Sequence, residues 1–217
     1  MHTRALAALI ALLVVLALAG PAAASTIRTD VPGSQITTYY DSGQWSRDIS
    51  AVVKKAKANL KQDLANDRAM RSPALVLDID ETSVFNAPCF EPVDWDLSGL
   101  AVCVVNGDGV ATPVLSLYKY ARKQHVKVVF ITGRPEAVGG TTTAELKRLG
   151  FSSGFQLVLR PASDTQDSLV PYKSGARATV ERHGYTILAN VGDQRSDLLG
   201  GHSLRRYKLP NPVYITT

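Results

Sequence analysis

Two carboxylates directly follow an apolar stretch of strand length, and their position suggests a cation site. Asp78 and Asp80 come after Ala74-Leu75-Val76-Leu77. Burying unpaired charge is costly, so a hard cation such as Mg²⁺, which takes oxygen ligands and can bind a phosphate, is expected beside them. Ligands of open parallel sheets bind beyond the carboxyl ends of the strands. A lone Asp-x-Asp is more often an acidic turn, so the prediction depends on matching residues elsewhere.

A second strand end offers groups that suit an anion. Residues 126–131 are predicted as a buried strand, and Thr132, Gly133, Arg134 and Pro135 follow. Backbone N–H groups in a glycine turn that opens a helix, together with a threonine hydroxyl, form a phosphate-sized site. An ordinary strand-to-helix turn is an equal alternative. Arg134 has two interpretations, a contact to the substrate or a structural salt bridge.

Three more charged residues fall near predicted element ends. Lys173 lies near the start of a predicted helix, where a cation opposes the helix dipole. Unless this lysine is only solvated, an anion should be nearby. Asp193 ends a predicted strand, and Asp197 follows four residues later, so one helical turn would direct both to the same point.

These strand ends share one edge in a parallel sheet, and their combination suits phosphoryl transfer through an enzyme carboxylate. Mg²⁺ and Lys173 would cancel the repulsion between Asp78 and an anionic substrate. Asp80 lies on the same turn and would protonate the leaving oxygen.

The predicted elements that must position these residues alternate between strand and helix. This alternation predicts an α/β fold with a central parallel sheet and right-handed crossovers. A long amphipathic helix is predicted from Trp45 to a point before Pro73. Residues 25–43 are polar and turn-rich and are predicted as an extended arm. The remaining predicted helices cover 112–124, 135–149 and 171–183, and the remaining strands cover 126–131, 155–159, 185–191 and 205–209.

The N-terminus is typical of an exported protein. Arg4 precedes an apolar run over residues 5–19, and small residues follow it. This pattern predicts a signal peptide over residues 1–24 that is cleaved after Ala24. An uncleaved anchor is the alternative, but the run is shorter than the ~20 residues that a spanning helix needs. The predicted location is secreted, either extracellular or associated with the cell wall, with no stable membrane anchor after cleavage.

Composition limits the class of partner. The 217 residues, 45% hydrophobic and 20% charged, fit one domain, residues 25–217 after cleavage. The formal net charge of +5 suits a small anionic substrate. The basic residues are dispersed and are not interleaved with aromatics, so no nucleic-acid polymer is expected as a partner.

Residues 84–111, which we call the cap segment, lose the regular hydrophobic period and are predicted as a small lid inserted after the first sheet strand. Cys89 and Cys103 are the only cysteines, and an exported pair is expected to form a disulfide. Zinc is a weaker alternative because no histidine lies nearby. Phe90 and Trp95 either stack on an aromatic part of the substrate or pack within the segment.

Four stretches, in this order, resemble the motifs of the haloacid dehalogenase-like superfamily. The first and the fourth, with Lys208-Leu209-Pro210-Asn211-Pro212, are similar to the acid phosphatase branch that holds bacterial class C and plant acid phosphatases. The resemblance extends from about Trp45 to the C-terminus. The four stretches are Asp78-Ile79-Asp80-Glu81-Thr82, Ile131-Thr132-Gly133-Arg134, Tyr172-Lys173-Ser174 and Gly192-Asp193-Gln194-Arg195-Ser196-Asp197.

The resemblance implies a Rossmann-like three-layer core with Asp78 on its central strand. It also implies that Asp78 is the nucleophile that forms an aspartyl-phosphate. Asp80 would be the acid and then the base that activates water, while Thr132, Gly133 and Lys173 would bind the phosphoryl group.

The same resemblance implies a set of metal ligands. Mg²⁺ would be held by the side chains of Asp78 and Asp193 and by the backbone carbonyl of Asp80. Thr82 and Asp197 would be supporting neighbours, and Asp197 is open to a second assignment as a direct ligand.

The sequence therefore predicts a secreted, Mg²⁺-dependent phosphomonoesterase, an acid phosphatase, that acts on small phosphate monoesters. One alternative is a non-catalytic secreted binding or storage protein of the same fold. Relatives that lose activity tend to lose the nucleophile, whereas this chain has Asp78. The other alternative is a phosphotransferase that passes the phosphoryl group to an alcohol.

Overall fold

The computed structural model describes residues 26–66, 72–152 and 154–216, and the predicted signal peptide, residues 1–24, lies outside them. The strands of this part are β1 (Thr26–Arg28), β2 (Pro73–Leu77), β3 (Val84–Phe85), β4 (Val110–Ala111), β5 (Lys127–Pro135), β6 (Phe155–Arg160), β7 (Thr186–Gly192), β8 (Arg205–Lys208) and β9 (Tyr214–Thr216). Its α-helices are α1 (Gly33–Asp41), α2 (Gln44–Ala65), α3 (Ala87–Phe90), α4 (Ser98–Asn106), α5 (Val114–Lys123), α6 (Gly139–Arg148), α7 (Leu169–Arg182) and α8 (Arg195–Leu198). Within the same ranges, no helix combines the length and the apolar character needed to cross a membrane.

A parallel sheet of five strands forms the centre of the fold, in the order β6-β5-β2-β7-β8. In the register of the central strand, Leu77 of β2 pairs with Phe130 on one side and with Val191 on the other. The carboxyl ends of β2 and β7 are therefore nearly level, and the residues that follow these two strands meet at one edge, whereas β5 continues beyond Phe130 to Pro135. The predicted α/β fold with a central parallel sheet is confirmed.

Helices cover both faces of the sheet because successive residues of β2 point in opposite directions. Leu75 and Leu77 pack in one cluster with residues of α2, α5 and α6. Ala74 and Val76 pack in a second cluster that includes Val180 of α7. The long helix α2 fits the predicted amphipathic pattern, with its buried stripe formed by Trp45, Ile49, Val53, Ala56 and Leu60.

The prediction of an extended arm over residues 25–43 is wrong. After β1 the chain forms α1, whose Ile36 is fully buried in a cluster with Trp95 and Tyr214. At the end of the chain, β9 lies beyond the last predicted strand, 205–209, and pairs antiparallel with β1. Helix α1 and strand β9 were missed for one reason: these short elements are stabilised by contacts between distant parts of the chain, which a local hydrophobic period does not show.

The cap segment is more regular than the sequence suggested. Strands β3 and β4 pair antiparallel at its two ends, and α3 and α4 lie between them. The disulfide between Cys89 and Cys103 joins these two helices, with the Cα atoms 5.7 Å apart. A Cβ atom at Gly99 would lie 2.5 Å from the carbonyl oxygen of Cys89, so the close approach of the helices requires glycine there.

Candidate active site

Three buried carboxylates meet at the edge of the sheet where β2 and β7 end. The side chains of Asp78, Asp193 and Asp197 each offer an oxygen, and these oxygens lie within 4.8 Å of one another. Asp78 directly follows β2, Asp193 directly follows β7, and Asp197 lies on the short helix α8. The structure thus brings together carboxylates from two chain segments that the sequence analysis had only proposed to be neighbours.

Lys173 lies between two of these carboxylates. Its Nζ donates to Oδ1 of Asp78 over 2.8 Å and also to Oδ1 of Asp197. The side chain is almost fully buried, with 4% of the residue exposed. Burial alone would lower the pKa of Lys173. The charges of Asp197 and Asp78 raise this pKa by more than burial lowers it, so the net shift is upward and the group stays an ammonium.

Asp193 is held by three side-chain donors. Thr82 Oγ1 donates to Oδ1 over 3.0 Å, while Gln194 Nε2 and Asn211 Nδ2 donate to Oδ2 over 2.5 and 2.8 Å. Burial and the nearby Asp197 raise the pKa of Asp193 to about 6. Burial and Asp197 likewise raise the pKa of Asp78, against the opposing effect of Lys173.

The turn after β7 fixes Asp197 close to the backbone. Its Oδ2 accepts from the backbone N–H of Gln194 over 2.7 Å, as part of a capping box at the start of α8. A Cβ atom at Gly192 would lie 2.3 Å from the Cβ of Asp197. Only glycine leaves room for the Asp197 side chain to lie over the end of the strand.

Asp80 has hydrogen-bond partners of its own, separate from those of the three buried carboxylates. Its oxygens accept from Nε and Nη2 of Arg134, at 3.0 and 2.8 Å, and Oδ1 also accepts from Asn86 Nδ2 over 3.0 Å. The salt bridge is therefore the interpretation of Arg134 that the structure supports. The Asp80 side chain is 14% exposed, more than any of the charged groups around it.

The turn after β5 differs from the turn that the sequence predicted. Strand β5 continues through Pro135, where it still pairs with β6, and a 3₁₀ turn over Glu136–Val138 separates it from α6. The predicted helix start at Pro135 is wrong, and Gly133 does not lie at a helix N-terminus. Thr132 is fully buried, and its hydroxyl accepts from the backbone N–H of Arg134 over 3.1 Å.

The aromatic residues of the cap segment pack against the body of the protein. The ring centroids of Trp95 and Tyr40 are 5.1 Å apart in a stacked arrangement, and those of Phe85 and Trp45 are 4.2 Å apart. Trp95 is 2% exposed and its Nε1 donates to Thr37 Oγ1. Packing, the less specific of the two predicted roles, describes these residues.

Several residues of the site escaped the sequence analysis. Asn211, which bonds Asp193, lies between two prolines in a stretch noted for family resemblance without a role of its own. Its Oδ1 also accepts from the backbone N–H of Val213, so one asparagine joins the C-terminal segment to the site. Asn86 and Glu145 reach the site through Asp80 and Arg134. Nothing in the local spacing of these two residues indicated such contacts.

Comparisons with known proteins identify the family of the chain. A family model described as HAD superfamily, subfamily IIIB (Acid phosphatase) matches residues 22–217. The chain is 36% identical over 151 residues to Acid phosphatase 1 of Solanum lycopersicum, covering 64% of this chain and 57% of that protein. It is 30% identical over 189 residues to the Stem 28 kDa glycoprotein of Glycine max, covering 83% of this chain and 73% of that protein. The chain thus spans little more than half the length of the tomato relative.

A solved structure shares the fold. The class C acid phosphatase from Bacillus anthracis with tungstate bound superposes with a TM-score of 0.63 at 18% sequence identity, covering 77% of this chain and 72% of that chain. The four motifs, the parallel sheet and the family model all agree. The chain belongs to the haloacid dehalogenase-like (HAD) superfamily, subfamily IIIB, the acid phosphatase subfamily.

Proposed function

We propose that this protein is a secreted, Mg²⁺-dependent phosphomonoesterase that acts through an aspartyl-phosphate on Asp78. The observation that carries the proposal is the grouping of Asp78, Asp193 and Asp197 around Lys173 at the carboxyl edge of the sheet. A buried carboxylate beside a buried ammonium, at the edge where parallel sheets bind ligands, suits attack on an anionic substrate.

The charges of the site fit a divalent cation. Three carboxylates and one ammonium leave a formal charge of −2 when all are ionised. Carboxylate oxygens are the ligands that Mg²⁺ prefers, one or two of them at a time. Asp78 and Asp193 are the ligands we assign, with the backbone carbonyl of Asp80, because these two residues directly follow the neighbouring strands β2 and β7. Lys173 and the Gln194 N–H hold Asp197 beside them as a supporting neighbour.

When bound, the ion would stabilise the charge on the transferring phosphoryl group. The residues of the chain supply the other functions. Lys173 occupies Oδ1 of Asp78 and orients it, so we assign Oδ2 as the attacking atom. The bond from Oδ2 to phosphorus forms as the bond from phosphorus to the leaving oxygen breaks. Asp80, in its protonated form, gives its proton to that oxygen, and Thr132 contributes a hydroxyl donor to the phosphoryl group.

The second half of the reaction releases phosphate. Asp80, now a carboxylate, accepts a proton from water as that water attacks phosphorus, and the bond to Asp78 Oδ2 breaks. Inorganic phosphate leaves, and both carboxyl groups return to their starting states. With an alcohol in place of water, the same step would make the enzyme a phosphotransferase.

The cap segment and the predicted leader complete the proposal. We assign residues 84–111 as a cap over the site, stiffened by the Cys89–Cys103 disulfide. A disulfide suits an oxidising compartment outside the cytosol, which agrees with a signal peptide over residues 1–24. The substrate is a small phosphate monoester rather than a nucleic-acid polymer.

A storage protein of the same fold is the second candidate, because the similarity to Vegetative storage protein 1 of Arabidopsis thaliana, at 28% identity, covers 80% of this chain, whereas the similarity to the tomato phosphatase covers 64%. Turnover decides between the two. The purified protein is assayed with nucleotides, sugar phosphates and aryl phosphates, with Mg²⁺ and with a chelator. We expect Mg²⁺-dependent hydrolysis that Asp78→Asn abolishes and that Asp63→Asn, a change distant from the site, leaves intact. Absence of hydrolysis across the panel would favour the storage protein.

A further inference from the structure

We propose that Arg134 is a positioning residue for Asp80, and that Glu145 links this arginine to the cap segment. This inference rests on the proposed function, because it concerns the residue that we assign as the acid. Arg134 is 3% exposed, and its contacts run to protein groups on two sides. On one side it forms the two hydrogen bonds to Asp80, and on the other its Nη1 donates to Glu145 Oε2 over 2.6 Å.

The geometry of the guanidinium fixes the Asp80 carboxylate in a plane. Arginine has five N–H donors in a rigid fork, and a bidentate pair sets direction as well as distance. Nη1 also donates to Thr142 Oγ1 over 3.3 Å. Four of the donors are therefore used by protein atoms, which makes Arg134 a support for Asp80 rather than a ligand of the substrate.

Glu145 carries the link to the cap segment. Its Oε1 accepts from the backbone N–H of Gly109 over 3.0 Å, while Oε2 accepts from Arg134. One turn further along α6, Arg148 Nη2 donates to the carbonyl oxygens of Gly107 and Gly109, each over 2.7 Å. Helix α6 thus binds the turn at residues 107–109, near the end of the cap segment, and the same helix holds Arg134.

The cap segment also reaches Asp80 from its other end. Asn86 lies between β3 and α3, and its side chain donates to Asp80. Its backbone N–H in turn donates to Glu81 Oε1 over 3.0 Å, which fixes the asparagine beside the acid. Asp80 is therefore placed by both ends of the cap segment, directly through Asn86 and indirectly through Gly109, Glu145 and Arg134.

This arrangement has a chemical consequence that differs between substrates. A general acid must lie within hydrogen-bond reach of the leaving oxygen, and small displacements of a catalytic group cost rate. An alkyl leaving group needs the proton, whereas a nitrophenolate leaves without it. A displaced Asp80 therefore slows hydrolysis of alkyl phosphates far more than hydrolysis of nitrophenyl phosphates.

The test measures kcat/KM for ethyl phosphate and for nitrophenyl phosphates in Arg134→Lys and Glu145→Gln. This ratio includes only steps up to phosphoryl transfer from the substrate, so hydrolysis of the aspartyl-phosphate does not enter. Lysine keeps the charge but cannot form the fork, and glutamine offers one acceptor oxygen where Glu145 uses two. We expect losses of about tenfold or more on ethyl phosphate, a part of what general acid catalysis supplies, and clearly smaller losses on the nitrophenyl substrates.

The control is Arg205→Lys, which breaks a second bidentate pair, Arg205 with Asp63, away from the site. This control variant should leave kcat/KM unchanged for both ethyl phosphate and the nitrophenyl phosphates. If Arg134→Lys fails to fold, Glu145→Gln and Arg148→Met still test the connection between the cap segment and Arg134. Equal losses on both classes in the folded variants would overturn the positioning role. Retained hydrolysis in Asp78→Asn would instead overturn the proposed function, so the two failures are distinguishable.

Discussion

Nζ of Lys173 lies 2.8 Å from Oδ1 of Asp78, although 95 positions separate the two residues along the chain. Both side chains are buried, and Asp197 completes the ion-pair arrangement on the other side of the ammonium. The contact joins the central strand to helix α7 at the point where we place the reaction.

Replacing this lysine should affect both stability and turnover. Lys173→Met leaves two buried carboxylates without their cation, and breaking a buried ion pair in this way costs about 3–5 kcal/mol. We expect a lower midpoint of thermal unfolding and loss of hydrolysis. Lys54→Met, on the exposed face of α2, is the control. Full activity in Lys173→Met would show that the ammonium has no part in the reaction.

The stability of the metal-free protein should depend on pH through Asp193. Its pKa is raised from 3.8 to about 6 in the folded state, so the folded protein binds the proton more tightly than the unfolded chain does. The contribution of Asp193 to the free energy of unfolding is therefore greatest below about pH 4. This contribution is lost as the pH rises through about 6, and the loss is on the order of 3 kcal/mol. Chelator-treated protein should unfold at a higher temperature at pH 5 than at pH 7.

Two additions isolate the contribution of Asp193. Asp193→Asn should reduce the pH dependence of stability between pH 4 and 7, because one of the titrating groups is gone. Added Mg²⁺ should stabilise the unmodified protein more above pH 6 than below it, because the ion binds the ionised carboxylates. An unchanged pH dependence in Asp193→Asn would count against this assignment.

Gly192 should be sensitive to the smallest substitution. A methyl group there would lie 2.3 Å from the Cβ of Asp197, so Gly192→Ala must displace Asp197 from Lys173. We expect a large loss of activity in enzyme assays. Gly175→Ala in α7 meets no atom within 4 Å and should be neutral or stabilising by ~0.5–1 kcal/mol. Similar behaviour of the two variants would contradict the close approach at Gly192.

The disulfide of the cap segment should contribute measurably to stability. A link between residues separated by 14 positions stabilises by on the order of 3 kcal/mol in the chain-entropy model. Reduction should lower the unfolding midpoint, and a Cys89→Ser, Cys103→Ser double variant should show the lowered value without responding to reductant. An unchanged midpoint after complete reduction, checked by counting free thiols, would rule out this contribution.

The sequence predicted the centre of the sheet and the acidic groups at its edge well, because β2 and β7 are buried apolar runs and Asp78 and Asp193 directly follow them. Asp78, Lys173 and Asp193 were proposed as neighbours on topology alone, and the structure places their side chains together. Helix α2 was equally clear from its hydrophobic period.

Contacts between distant segments were beyond local patterns. The pairing of β1 with β9, the helix α1 and the link from Gly109 through Glu145 to Arg134 all depend on tertiary packing. The prediction that a helix begins at Pro135 was wrong for a related reason. Proline is typical of a helix start, but pairing with β6 extends strand β5 to this residue.

The covalent step at Asp78 is the central claim, and trapping the phosphoenzyme tests it most directly. The protein is mixed with a phosphate monoester carrying a radiolabelled phosphoryl group, quenched in acid within one turnover, digested and analysed by mass spectrometry. We expect hydroxylamine-sensitive label on the peptide that contains Asp78, and none in Asp78→Asn. Hydrolysis without any labelled peptide, or label on another residue, would contradict the mechanism.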